Sequence, residues 1–222
     1  MNSTEFNATT YFDAIYARPV ILEAKKLTQS FKHGKTERTI LNQLDLKIHK
    51  REFICVIGHS GCGKSTILNI LAGLENSTNG TIVMSGKEVT GPSLDRGVVF
   101  QGHALLPWLT VRGNILFALR SRYPNMKKKE LEQKVEHYIG LVGLQPALNK
   151  KPSELSGGMK QRVLIAIAIA LKPDLIIADE PTSALDVTVQ KRILDLLDTL
   201  RRESGTAVLF VTHDLALAAE RA

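Results

Sequence analysis

The segment Gly58-His-Ser-Gly-Cys-Gly-Lys-Ser-Thr66 stands between an apolar run, Phe53–Ile57, and a helix-like run, Ile67–Ala72. Glycines at this spacing let the backbone wind around an anion without Cβ clashes, so that successive N–H groups turn inward. A helix starting directly after the loop adds its positive end. This is G-x-x-x-x-G-K-[ST] in its strand–loop–helix setting, which reads as a phosphate cradle. Gly58, Ser60, Gly61, Cys62, Gly63, Lys64, Ser65 and Thr66 make up its ligand-binding residues. Lys64 can reach β- and γ-phosphates, and the Ser65 hydroxyl is placed to ligate Mg²⁺. Cys62 reads as a small filler in the loop; a reactive thiol is the alternative, because helix N-termini lower thiol pKa.

A second chemical segment lies far downstream. Leu175-Ile-Ile-Ala-Asp179-Glu180 is an apolar strand that ends in two acids. Ligands of open α/β sheets bind at the carboxyl ends of strands. Asp179 can hold Mg²⁺ through its water shell, and Glu180 can polarise an attacking water. Neighbouring residues on a strand face opposite sides, so the two acids are expected to face apart. Without the phosphate loop, such an acid pair would be unremarkable surface.

Elements must bring these segments together. Phe53–Ile57, Val98–Phe100, Leu175–Ala178 and Ala207–Val211 are uniformly apolar, as strands buried on both faces are. Leu131, Val135, Tyr138 and Val142 recur at helical spacing, as do Val189, Ile193, Leu196 and Leu200. The alternation predicts an α/β core with a parallel sheet. Residues 20–50 and 80–90 carry short alternating stretches with turn residues, which predict a small antiparallel sheet. Residues 104–160 read mostly as helix, interrupted by prolines, and suggest an inserted helical subdomain.

The whole-chain quantities bound the answer. At 222 residues and about 150 residues per domain, the chain holds one large core with a smaller subdomain. Apolar residues at 44% and charged residues at 23% exclude wholesale disorder. The longest purely apolar run, Val163–Leu171, falls far short of the about 20 residues of a bilayer-spanning helix. Lys+Arg 29 against Asp+Glu 22 gives +7, a balance suited to phosphate-bearing partners. Aromatic residues at 5% argue against stacking platforms for single-stranded nucleic acid, and no nucleic-acid partner is expected. Two cysteines are too few for a disulfide scaffold and fit a reduced compartment. Residues 1–19 read as a polar extension, and residues 20–222 as the catalytic domain.

Leu155-Ser156-Gly157-Gly158-Met-Lys-Gln161-Arg162, taken with the phosphate loop and Asp179-Glu180, resembles the ATP-binding cassette (ABC) ATPases of membrane transporters. Gln101 in Val-Val-Phe-Gln, Ser183-Ala-Leu-Asp186 and His213 in Val-Thr-His-Asp match the same family in order. The resemblance implies a P-loop NTPase parallel-sheet core with an antiparallel β subdomain and the helical insertion. It also implies a head-to-tail homodimer or heterodimer that sandwiches two ATP with Mg²⁺. Ser156, Gly157 and Gly158 of one subunit would face the γ-phosphate bound by Lys64 of the other. A Ser-Gly-Gly opening a helix, expected over Met159–Leu171, suits an anion. By the same resemblance Gln101 touches Mg²⁺ or its water, His213 contacts the γ-phosphate and orients water, Asp186 bridges the dimer, and Phe31 stacks on adenine. Catalysis would rest on Glu180, His213 and Gln101, and the metal on Ser65, Gln101 and Asp179. The family implies separate transmembrane permease subunits and a cytoplasmic position on the inner face of the membrane.

Two features depart from a single subfamily. Gln101-Gly-His-Ala-Leu-Leu-Pro-Trp108-Leu-Thr-Val resembles importer ATPases for nitrate, sulfonate and taurine, with Trp108 as an anchor for the membrane subunit. The stretches from Ala178 to Gln190 and from Leu209 onward resemble peptide and nickel importers instead. A mosaic joined near residues 140–165 is one explanation, and an unusual natural lineage the other. Nine residues follow His213 (222 − 213), where the family continues with more strands and a helix. The expectation is an incomplete C-terminus with lowered stability, and, as the alternative function, a cassette that binds ATP but hydrolyses it poorly.

Overall fold

The computed structural model describes residues 13–213 except Lys35, Ser60, His103, Ser183 and Ala184. Most of the expected polar extension over 1–19, and the whole segment on which the early-stop expectation rests, lie outside the described residues.

The four apolar runs form one parallel sheet. Its strands are β3 (Phe53–Ile57), β6 (Arg96–Val99), β7 (Leu175–Asp179) and β8 (Ala207–Thr212), in the order β3-β8-β7-β6. Uniform apolarity follows from covering on both faces. Leu175, Ile177, Ala207, Leu209 and Val211 enter one core cluster, whereas Ile176, Ala178, Val208 and Phe210 enter the other. The period-two alternation of a strand thus divides β7 and β8 between two cores.

The second sheet is antiparallel, in the order β2-β1-β4-β5, from β1 (Val20–His33), β2 (Thr36–His49), β4 (Asn79–Met84) and β5 (Lys87–Glu88). The first two strands run 14 residues each, longer than the short stretches expected. Bulges account for the difference: the register of β1 against β2 shifts repeatedly, with Lys26 and Gln43 at φ 48. Such bulges break the alternation in sequence without ending the pairing. Leu22, Ala24, Leu27, Ile82 and Met84 of this sheet pack with helix α1 (Lys64–Ala72) over one face of the parallel sheet.

Helices α2 (Val111–Arg122), α3 (Lys128–Leu141) and α4 (Gly157–Ala170) build the expected helical region, with two 3₁₀ turns at Gln145–Ala147 and Pro152–Glu154. The prolines do mark its breaks: Pro146 and Pro152 sit at the starts of the 3₁₀ turns. The region extends beyond residue 160, because α4 runs from the insertion into the main core, with Val163, Ile165, Ala166 and Ile169 buried. Helix α5 (Val187–Ser204) presents Ile193, Leu194 and Leu197 to the same core. Among the described residues, no helix is long and apolar enough to cross a membrane.

Candidate functional site

The phosphate loop leaves β3 and enters α1 through Gly63, which caps the helix at φ +101. Only glycine holds that conformation without strain, and a Cβ there would stand 2.9 Å from Ile40 Cγ2. The left-handed cap lets the helix start at Lys64, three residues earlier than the apolar pattern indicated. Lys64 Nζ donates to the carbonyls of Gly58 at 2.6 Å and His59 at 2.9 Å, so its charge is held over the loop.

The loop opens into a cavity of about 630 Å³, a size ordinary for small-molecule sites. Phe31, Ile40, Gly58, Gly61, Gly63, Lys64, Ser65, Thr66, Gln101, Asp179, Glu180 and His213 line it. Ser65 Oγ donates to Asp179 Oδ2 at 3.2 Å across 114 residues of sequence. Gln101 Nε2 donates to Glu180 Oε2 at 3.4 Å, and His213 Nδ1 lies 3.1 Å from Glu180 Oε1. Glu180 is therefore addressed from two sides, by an amide and by an imidazole.

The expectation that the two acids face apart is corrected, since both line this cavity. The strand ends at Asp179, and Glu180 takes φ 46, which breaks the alternation. The Glu180 N–H still donates to Val211 O at 3.0 Å, fixing the turn against β8. Burial raises the Asp179 pKa, and the nearby Glu180 raises it further; the Ser65 hydroxyl and Lys64 oppose the shift. A cation beside Asp179 would offset the cost of burying its charge.

Other expected residues fall elsewhere. Cys62 is exposed and does not line the cavity; its Sγ is 2.8 Å from where a Gly58 Cβ would stand. Ser60 lies outside the described residues. Ser156, Gly157, Gly158 and Asp186 are not in the cavity either. Ser156 and Asp186 cap helices: Ser156 Oγ accepts from Met159 N at 3.3 Å, and Asp186 Oδ1 from Val189 N at 3.0 Å. The capping role of Asp186 was missed, although an acid just before an apolar helical pattern is an N-cap signal. Ile40 of the cavity wall was also missed, and the sequence carries no local signal for it.

A larger groove of about 980 Å³ lies on the antiparallel sheet. Glu23 there pairs with Lys25 and Lys47, and the groove gathers none of the residues above.

The donor set fits a magnesium–nucleotide complex. Among the described residues no three His, Cys, Asp or Glu converge to hold a metal alone. A hydroxyl, a carboxylate and an amide beside a phosphate loop are what Mg²⁺ takes when phosphates and water complete its shell. Phe31, 43% exposed at the cavity wall, offers a ring face for a base.

A family model described as "ABC transporter" matches residues 41–183. The chain is 49% identical over 175 residues to the "Nitrate import ATP-binding protein NrtC" of Synechocystis, covering 79% of this chain and 26% of that protein. It is 43% identical over 175 residues to the "Nitrate import ATP-binding protein NrtD" of Synechococcus elongatus, covering 79% of this chain and 64% of that one. The chain therefore spans less than two thirds of either relative. Among solved structures, it is similar to the "post-hydrolysis state of the ATP-binding cassette MJ0796 bound to ADP and Pi", a dimer, with a TM-score of 0.84 and 34% identity, over 89% of this chain and 90% of that one.

Proposed function

We propose, for a chain that belongs to the ABC transporter family, that it is the ATP-binding and hydrolysing part of an importer, energising uptake of nitrate or a similarly small anion through separate membrane subunits. The observation that carries this reading is the convergence of Ser65, Gln101, Asp179, Glu180 and His213 on one phosphate-loop cavity. The nitrate-import relatives support the substrate class.

In this reading the loop N–H groups and Lys64 hold the β- and γ-phosphates, and Phe31 holds the base. Ser65, Asp179 and Gln101 would hold Mg²⁺, which neutralises charge on the phosphates when bound. Glu180 is the general base for the attacking water. His213, 3.1 Å from it, orients that carboxylate and faces the γ-phosphate. Such catalysis depends mostly on positioning and charge neutralisation.

The heads of α4 and α5 complete the site from a second ATPase subunit: Ser156, Gly157 and Gly158 reach the γ-phosphate, and Asp186 lies at the contact. Ser156 and Asp186 are exposed, as that role requires. In this reading Trp108, 68% exposed, is the anchor for the membrane subunit, and the protein works at the inner face of the membrane. A join near residues 140–165 is one reading of the likeness of the later stretches to peptide and nickel importers, and an unusual natural lineage is the other. Val142, Leu144, Leu148 and Leu155 there are buried in one cluster with Val99 and Phe210, so both sides of that stretch share a core.

The test is Mg-ATP hydrolysis measured across protein concentrations, with Glu180→Gln as control. Specific activity should rise with concentration and fall roughly 1,000-fold in the mutant, which keeps its ATP affinity. Nucleotide binding without turnover at any concentration would instead favour a cassette that binds ATP but hydrolyses it poorly.

A further inference from the structure

The residues that meet at the cavity come from the upper ends of α1, β6 and β7. Their lower ends also meet. Arg96, the first residue of β6, is 8% exposed. Its Nε donates to the carbonyl of Ala72, the last residue of α1, at 3.3 Å, and its Nη2 donates to Gly91 O. Nη1 lies 3.6 Å from Met84 Sδ on β4. One guanidinium thus joins the base of the phosphate-loop helix, the base of a core strand and the antiparallel sheet.

The surroundings are shaped for this contact. Gly73 ends α1 at φ +76, and a Cβ there would press on the Gly91 carbonyl and stand 3.1 Å from Arg96 Nη2. The preceding residue adds the third element: Asp95 O accepts the N–H groups of Asp174 at 2.9 Å and Leu175 at 3.2 Å, where β7 begins. The Asp95 carboxylate also lies 3.5 Å from Arg122 Nη1, at the end of α2. Burial lowers the Arg96 pKa, with Asp95 opposing, so this cation is kept against a desolvation cost.

We propose that Arg96 is a positioning residue for the metal site, acting as a clamp at the floor that sets Ser65 on α1 against Gln101 beyond β6. This rests on the nucleotide-site reading above and deepens it. Helix α1 spans about 14 Å at 1.5 Å per residue, and the chain from Arg96 through β6 to Gln101 extends over about 17 Å at most. Over arms of that length a tilt of about 4° at the floor displaces the upper ends by about 1 Å, a misplacement that costs roughly 100-fold in rate where geometry matters. The planar guanidinium holds Nε and Nη2 at a fixed separation toward the two carbonyls, a rigid geometry that an ammonium on a flexible stem does not keep.

The experiment titrates Mg²⁺ in the ATPase assay for the whole chain and for Arg96→Met, Arg96→Lys, Ser65→Ala and Val135→Ala, well below their melting temperatures. Mg-free ATP binding is measured beside it. Val135, fully buried in α3, supplies a destabilised control away from the floor. Arg96→Met should lower kcat roughly tenfold and raise the Mg²⁺ needed for half-maximal turnover several-fold, with Mg-free ATP affinity unchanged. Arg96→Lys, which keeps the charge and decides the matter if the methionine variant does not fold, should show the same Mg²⁺ shift. Arg96→Met behaving like Val135→Ala, or full recovery by lysine, would overturn the clamp. Ser65→Ala is the reference: no Mg²⁺ shift there would remove the metal assignment itself. A shift there without one in the Arg96 variants overturns the clamp alone.

Discussion

The heads of α1 and α4 follow one electrostatic plan, each a glycine-bearing helix N-terminus with a hydroxyl residue beside it. The first is surrounded within the chain by Gln101, Asp179, Glu180 and His213, so an anion bound there would meet two carboxylates, an amide and an imidazole. The second presents Ser156 and Gly157 to solvent, with the Ser156 hydroxyl occupied by its own cap. The same local chemistry thus lies in a furnished cavity in one place and at a solvent-exposed helix end in the other. What separates them is the company the fold supplies.

The strongest way to break this comparison is at the furnished end. Lys64→Ala removes the ammonium above the loop and should weaken ATP binding roughly 100-fold or more, since each charge-assisted hydrogen bond contributes about 1.5–3 kcal/mol. Calorimetry giving unaltered affinity would refute the cradle. At the exposed end, Ser156→Arg should leave ATP binding intact and lower turnover roughly tenfold or more. Mixing the Lys64→Ala and Ser156→Arg variants sharpens the contrast further. If each site combines one loop with the other subunit's helix, the mixture should regain about a quarter of wild-type activity, the share of intact sites in random two-fold pairs. No recovery in the mixture would argue that both halves act within one chain.

Smaller effects separate capping from catalysis. Asp186→Ala should cost about 1 kcal/mol through the lost α5 cap, whereas Asp186→Asn keeps an acceptor and should melt near wild type. Equal melting of both would show that the cap contributes nothing. The last prediction concerns pH. The Asp179 pKa is raised in the folded state, so the native chain holds its proton longer than the unfolded chain does. That contribution is fully present below the ordinary carboxylate range and is lost as pH rises through the raised value. Asp179→Asn should therefore raise the melting temperature of the nucleotide-free protein at pH 7, with the gain shrinking as the solution is acidified toward about pH 4 and gone below it. A gain that is the same at every pH would point to packing instead of charge.

The phosphate loop was legible from its spacing, because glycine conformations are local, although Cys62 stands outside the cavity and the helix starts three residues earlier than the apolar pattern indicated. The same holds for the parallel strands, whose uniform apolarity announces covering on both faces. The bulged strands β1 and β2 were read as shorter than they are, since a bulge interrupts alternation while the hydrogen-bonded ladder continues. Ile40 in the cavity wall and Arg96 at the floor carried no signal at all. One looks like any strand isoleucine, and the other like a surface charge beside Asp95.

Residue types and short spacings therefore determined the chemistry available to this protein: a phosphate cradle, two acids at a strand end and a serine–glycine helix head. Only the tertiary structure decided which of these act together. The sheet order places β3, β6, β7 and β8 side by side, so that Lys64, Gln101, Asp179 and His213 reach one cavity from the ends of separate elements. The turn at Glu180 brings both acids to the same side, against the alternation of a strand. Long-range register and a single left-handed residue are set by the packing of the whole core, and a motif read on its own does not contain them.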